Sequence, residues 1–595
     1  MEIKKTFRIR LLSTLLAVCM AVSLCVVSAV VSNAADSGAA AIANGLAVNV
    51  QDGQILQCWN WSFRNIKNNM SKIVAQGFSA VQTSPIQTAK EGTVGKNFDM
   101  WWLYYQPVNF SIDNTGNSAL GTKQDFIDMC NEAHKYGVKI IVDAVLNHTG
   151  NNYRNDVSPQ VISDIRNDPS CWHDISRNTM DWNNRWEVTQ LCMDGLPDLN
   201  TANAKVQTYA ANFLKECIDA GADGFRFDGA KHIETDHYSE TAGSSFWRNV
   251  LGQTTSHANN TRGFTPYYYG EILDDLGGNV PISAYTQYMS VTEHGTAWDI
   301  LKGSNENNSG KASFTPMWKG ASKNKAVLWD ESHDTYAHGT TKGWETYALN
   351  KGWANMASRA EECGMYFARP ASMNQPLGTA SSGGWETIEV REVNLFKNKF
   401  VGQSEYLATS GSIAYNVRGN KGVILVNTGG MAVGGVSVPS VGMTSGTYKD
   451  QITGNTFTVS NGTISGNIGS TGIAVVYNTS SAQPPQSTQP PQPAQPSGTI
   501  RVYFSAPKDW NNTRCYYWQS NGNTPLSWPG NQMSVYQQDN GLNQRIWIID
   551  VPASMDRLIF SNGGSNQTYD YVWNNKNLVA FYSNYGTLTP WDIQP

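Results

Sequence analysis

The amino-acid sequence predicts a multidomain chain: a parallel α/β barrel, then an all-β domain, then a separate β-sandwich. Three observations predict it. From about residue 50, apolar strand-like runs alternate with helical stretches, and polar residues gather where those runs end. After roughly residue 395 the helical signal gives way to short alternating strands with Gly-rich turns. At 481–497 a Pro/Gln tract, SAQPPQSTQPPQPAQPS, precedes a last run of strands. With 595 residues, 40% of them hydrophobic and 11% aromatic, the chain can fill several large cores.

Residues 1–35 read as an export signal and predict a secreted, extracellular protein. Lys4, Lys5, Arg8 and Arg10 precede the apolar run Leu11–Val31, and Ser32-Asn33-Ala34 supplies small residues for cleavage. The apolar run is long enough to span a bilayer, so an uncleaved N-terminal anchor is the alternative reading. No later segment resembles a span, so no stable membrane association is expected after cleavage.

Residues 36–394 carry the barrel rhythm. AVQTS (80–84) follows one helix, DFIDMCNEAHKYG is a helix ended by Gly137, and VKIIVDAV is a buried strand. VQTYAANFLKECIDAGADGFRFDGA repeats the pattern, and YYYGEIL and AVLWDES read as further strands. The stretch at about 149–200 is too long and too rich in Trp and Asn for a simple connection and predicts a small inserted domain. In 395–480, GSIAYNVRG and KGVILVNTGG alternate as hairpin strands of a β-rich domain. The linker at 481–497 is expected to favour a polyproline conformation, which would space the domains by ~50 Å at ~3.1 Å per residue. In 498–595, TIRVYFSAP, RCYYWQS, QRIWIIDV and LIFSNGG are short strands of a β-sandwich.

Composition narrows the function. The formal charge is −5 and the 43 Lys and Arg are scattered, so no basic stripe for nucleic acid exists. Twenty Trp and 26 Tyr exceed ordinary core needs, and aromatic faces that stack on sugar rings are one use for them. Of nine Cys, Cys19 and Cys25 fall in the signal; the other seven show no metal or redox spacing, and their odd number leaves at least one unpaired.

Polar residues recur at strand ends: Asp143, Asn147 and His148; Asp228, Lys231 and His232; Glu271; His333 and Asp334. In a barrel of βα units these ends share one face. Three carboxylates there, Asp228, Glu271 and Asp334, are what glycosidic cleavage needs: a nucleophile, a proton donor and a further charge. Arg226, two residues before Asp228 on the same strand face, is expected to keep that carboxylate ionised. Tyr267, Tyr268 and Tyr269 before Glu271 are expected to desolvate it and raise its pKa. For Arg226 and Asp228 alone, a structural ion pair is the plainer reading; recurrence at four strand ends favours chemistry.

DAVLNH (143–148), LPDLN (196–200), GFRFDGAKH (224–232), GEIL (270–273) and SHD (332–334) resemble, in order and spacing, the motifs of the α-amylase family of retaining glycoside hydrolases, glycoside hydrolase family 13. The resemblance spans about residues 50–480. It implies a (β/α)8 TIM barrel, a domain B inserted after the third strand, a β-rich domain C, and endo-hydrolysis of α-1,4-glucosidic bonds in starch. It implies Asp228 as nucleophile, Glu271 as acid/base and Asp334 as transition-state stabiliser, with Arg226 orienting the nucleophile. His148 and His333 correspond to ligands of the sugar in the cleaved subsite, Lys231 and His232 to groups beyond the scissile bond. WWLYYQP (101–107) resembles the family's aromatic platform, with Tyr105 stacking on the sugar and Trp101, Trp102 and Gln106 beside it; barrel-top packing is the competing reading for Trp101.

The resemblance further implies a structural Ca²⁺ held by the Asn147 and Asp198 side chains and the Thr189 and His232 carbonyls, oxygen donors that suit a hard cation. Ser332 stands where chloride-dependent members carry Asn, which speaks against chloride activation. The C-terminal segment resembles starch-binding β-sandwich modules, with Tyr516 and Trp518 on one strand face and Trp528 in a turn as the sugar cradle, and Tyr517 and Trp547 pointing inward. Starch and related α-glucans are the expected partners of a monomer. The competing functions are a transglycosylase on the same fold, separated by product analysis, and a catalytically inactive glycan-binding protein, which need not keep all three carboxylates.

Overall fold

The computed structural model describes residues 37–273, 280–381, 383–478, 498–537, 544–564, 566–568, 570–573, 576 and 580–582. The export signal and the Pro/Gln linker lie outside them. The chain divides into two compact units, Met1–Pro484 and Pro485–Pro595.

In the first unit, eight parallel strands close a barrel in which chain order is also spatial order. They are β1 (Gln54–Gln57), β2 (Ala80–Gln82), β3 (Lys139–Ala144), β4 (Gly224–Phe227), β5 (Tyr267–Gly270), β6 (Ser290–Thr292), β7 (Ala326–Leu328) and β8 (Cys363–Phe367). Major helices follow most strands: α1 (Phe63–Ala75), α2 (Lys123–Tyr136), α3 (Ala204–Asp219), α4 (Phe246–Arg262), α5 (His294–Asn305), α6 (Thr346–Ala357) and α7 (Ile388–Lys399). After β5 only the short helix Ser283–Thr286 is described. In α1, Phe63, Ile66, Met70 and Ile73 recur at helical spacing and are the buried stripe. A capping box of Thr122 and Asp125 opens α2, and Gly137, left-handed at φ 81°, closes it.

Strand alternation decides what points into the barrel. In β3, Ile140, Val142 and Ala144 face the helices while Ile141 packs inside. Asp143 therefore falls on the interior side. In β4, Phe225 and Phe227 join the outer core. Arg226 is left on the inner side, in register with Asp143 on one neighbour and Tyr269 on the other.

Between β3 and α3 the chain forms the inserted region, with strands Asp174–Asn178 and Leu191–Cys192 paired in a small sheet and the helix Arg185–Gln190 between them. After α7 an eight-stranded sheet runs from Glu405–Ser410 to Ile473–Tyr477 around a core that includes Tyr415, Leu425 and Phe457. All seven cysteines among the described residues are unpaired and buried.

The second unit is a β-sandwich of two four-stranded sheets. Its core includes Tyr517 and Trp547, and Phe504 stacks on Phe560 at 4.2 Å between centroids. Among the described residues no helix is long and apolar enough to cross a membrane.

Candidate active site

At the C-terminal mouth of the barrel, Arg226 bonds three carboxylates. Its Nη1 donates to Asp143 Oδ1 at 2.6 Å and to Asp228 Oδ1 at 2.9 Å, and its Nη2 lies 2.6 Å from Glu271 Oε1. Arg226 is therefore not the private partner of Asp228; its charge is divided. Asp228 and Glu271 follow β4 and β5 directly, and the turn at Gly229, φ 51°, aims the Gly229 N–H at Glu271 Oε2, 2.9 Å away.

Burial pushes the Asp143 carboxyl up to about 7, opposed by Arg226. It raises Glu271 as well, with Arg226 opposing and the Asp228 and Asp334 charges adding to the rise. Asp334 is raised by burial against Arg226 and His338. His333 and Asp334 lie on a short helix, His333–Ala337, whose start is capped by Ser332.

The histidines are held neutral by burial, which pushes His333 down to about 3 and lowers His148. Gln57 Nε2 donates to His333 Nδ1 at 3.1 Å, which leaves the proton on Nε2, a donor 3.5 Å from Asp334 Oδ2. His148 is the complement. Its Nε2 donates to the Tyr105 carbonyl at 3.0 Å, and its buried Nδ1 has no partner and can accept a hydroxyl. Tyr105 stacks on His333 at 5.0 Å and donates its hydroxyl to Asp143 Oδ2 at 2.9 Å.

Asp228, Glu271, Asp334, His148, His333 and Tyr105 line a cleft of about 580 Å³ together with Trp101, Trp102, Gln106, Lys231 and His232. Every cleft residue expected from the sequence is brought together there, and Arg226 lies buried beneath. Trp101 both lines the cleft and packs against Trp59, Tyr105 and His333. Sequence reasoning missed five contributors. Asp143 stands in a noted cluster without its link to Arg226, and strand register supplies that link. Gln57 and Trp59 come from the end of β1, and Trp59 packs 6.0 Å from His333. Trp182 reaches in from the inserted region, with Lys231 Nζ 5.5 Å from its ring, and His338 follows the short helix. No periodic signal marks these loop residues.

Of the residues implied for Ca²⁺, Asn147 and Asp198 are in contact. The Asn147 amide donates to Asp198 Oδ1 at 2.8 Å while its own Oδ1 is buried without a partner. His173 Nδ1 holds Asp198 Oδ2 at 2.7 Å, and burial pushes the Asp198 carboxyl up to about 7. The Thr189 carbonyl accepts from Gln190 Nε2 at 2.9 Å, and the His232 ring donates to the Val188 carbonyl. An orphaned amide oxygen beside a desolvated carboxylate fits a hard cation. Among the described residues no group of three or more His, Cys, Asp or Glu is placed to hold a metal, and this set contains only one carboxylate.

In the second unit Tyr516 and Trp518 project from one face of Arg514–Trp518, 5.6 Å apart, with the Trp528 ring 5.7 Å from Tyr516 and 52% exposed.

Comparison with known proteins agrees with this geometry. Residues 77–264 match the alpha-amylase catalytic domain, and residues 502–572 match starch-binding module 26. An alpha-amylase of Clostridium acetobutylicum is 38% identical over 444 residues, 73% of this chain and 55% of the relative. An alpha-amylase of Butyrivibrio fibrisolvens is 30% identical over 476 residues, 72% and 47% of the two chains. The chain thus spans about half the length of these curated relatives. Alpha-amylase I of Eisenia fetida shares the fold with a TM-score of 0.60 at 20% identity, over 72% of this chain and 97% of that one. The chain therefore carries an alpha-amylase catalytic domain in its barrel unit and a starch-binding module in its second.

Proposed function

We propose that the protein is an extracellular, monomeric, endo-acting α-amylase that hydrolyses α-1,4-glucosidic bonds of starch with retention of anomeric configuration. The observation that carries this is Arg226 bonding Asp228 through one terminal nitrogen and Glu271 through the other. One guanidinium holds both carboxyls at the cleft, where a nucleophile and a proton donor can act on the same glycosidic bond, and the resemblance to a retaining family supports retention.

Protonated Glu271 gives its proton to the glycosidic oxygen as that bond breaks, and Asp228 attacks the anomeric carbon. The resulting glycosyl-Asp228 ester is opened by a water whose proton returns to Glu271. Asp334, the His333 Nε2–H and the His148 Nδ1 lone pair hold the hydroxyls of the distorted ring, and Tyr105, Trp101 and Trp102 supply its apolar contacts. The Asn147 and Asp198 side chains, with the Thr189 and His232 carbonyls, would hold a structural Ca²⁺, which would tie the inserted region to the barrel. Tyr516, Trp518 and Trp528 bind polymeric substrate. The export signal of the sequence supports an extracellular location.

Incubation with soluble starch, following reducing ends and product anomer together, tests the reading. Early release of α-configured oligosaccharides is expected; β-configured products or transfer without net hydrolysis would overturn it.

A further inference from the structure

A second cleft in the barrel unit, of about 590 Å³, is comparable in size to the catalytic one and shares no lining residue with it. It is formed by the loop after the Asp334 helix, the first turn of α6 and the Gly429–Met431 turn. Consecutive residues divide the two clefts: His338 lines the catalytic one and Gly339 this one.

Its lining suits a sugar. Tyr347, on the first turn of α6, is 51% exposed, and Trp344 stands beside it, braced edge-on by Trp298 at 5.8 Å. Flat aromatic faces accept the C–H faces of pyranose rings. Around them stand one carboxylate, Glu345, and one ammonium, Lys351, whose Nζ donates to the Gly430 carbonyl at 3.1 Å. That balance suits neutral hydroxyls rather than phosphate or nucleic acid, which call for a positive surface.

The platform is held rigidly. Arg369 donates to the Trp344 and Thr341 carbonyls at 2.8 Å each and pairs with Glu331, which also accepts from the Thr341 hydroxyl at 2.6 Å. A surface loop fixed from below by a buried ion pair presents its aromatic in one place, as a preorganised site requires. At Gly343 an added Cβ would meet nothing within 4 Å, so the groove is open there to a ligand and to a larger side chain alike.

We propose that this groove is a second α-glucan site of the catalytic unit, binding a stretch of the polymer chain on the Trp344–Tyr347 platform. It rests on the glucan activity proposed above. The test uses the full-length chain carrying E271Q to stop turnover and Y516A/W518A/W528A to silence the module, titrated calorimetrically with maltoheptaose. Two binding events are expected, one per cleft. Tyr347→Ala and, separately, Gly343→Leu should weaken the second roughly tenfold or more without lowering Tm, the first by removing a stacking face and the second by filling open groove. A single binding event at the outset, or two events that both variants leave unchanged, overturns the second site while sparing the catalytic reading. Absence of any maltoheptaose binding overturns both.

Discussion

Arg226 carries one positive charge among Asp143, Asp228 and Glu271, so the buried carboxyls cannot all be ionised cheaply. Burial first, and the Asp228 and Asp334 charges after it, favour the protonated form of Glu271. Glu271 is raised above its ordinary 4.5 by burial, and in the proposed mechanism the protonated form is the active one, so kcat/KM should be lost as pH rises through that raised value. A pH–rate profile should show an alkaline limb above 4.5; a limb at or below it contradicts the assignment. Asp228→Asn and Glu271→Gln should each lower kcat by at least about a hundredfold with unchanged Tm, since both replacements keep the side-chain size. The carboxylates are legible in the sequence because each follows a short apolar strand or its turn. Asp143 is legible as a residue and not as a partner, because its contact with Arg226 comes from register between β3 and β4.

Strands and helices of the barrel are legible from periodicity, and the inserted region from its length and its Trp- and Asn-rich composition. What fastens that region joins residues far apart in sequence. Arg185, 4% exposed, makes a two-pronged pair with Glu240 at 2.9 and 2.7 Å and donates to the Tyr285 hydroxyl at 2.7 Å. No pattern around Arg185 announces a partner 55 residues away. Arg185→Met should cost about 3–5 kcal/mol by leaving Glu240 buried and unpaired, measured by denaturant unfolding; Arg185→Met with Glu240→Gln should recover part of that loss. If calcium also fastens the region, excess chelator lowers Tm, because an ion that binds only the folded state stabilises it by mass action. An unchanged Tm after verified metal removal removes calcium from the account.

Over the whole molecule, the two compact units answer separate demands: the first holds the carboxylates, and the second presents Tyr516, Trp518 and Trp528. Each stacking contact is weak, but tethering raises the effective concentration of either site on a polymer. Deleting 481–595 should therefore reduce adsorption to granular starch and activity on it, while turnover of short soluble maltooligosaccharides stays nearly unchanged. Equal adsorption by the truncated chain assigns the module another role. The two-unit division is legible from the Pro/Gln tract, whereas the second cleft beside α6 is not, since it assembles three segments that no motif connects. The cysteines have a practical corollary. All seven among the described residues are buried, and burial raises every one of their thiols, so none is poised to react with alkylating dyes in the native state. Once residues 1–35 are removed, a single cysteine placed on either unit becomes the one addressable thiol. A donor on the barrel and an acceptor on the module then make the distance between cutting and gripping on a granule a fluorescence measurement, with no native cysteine removed to allow it.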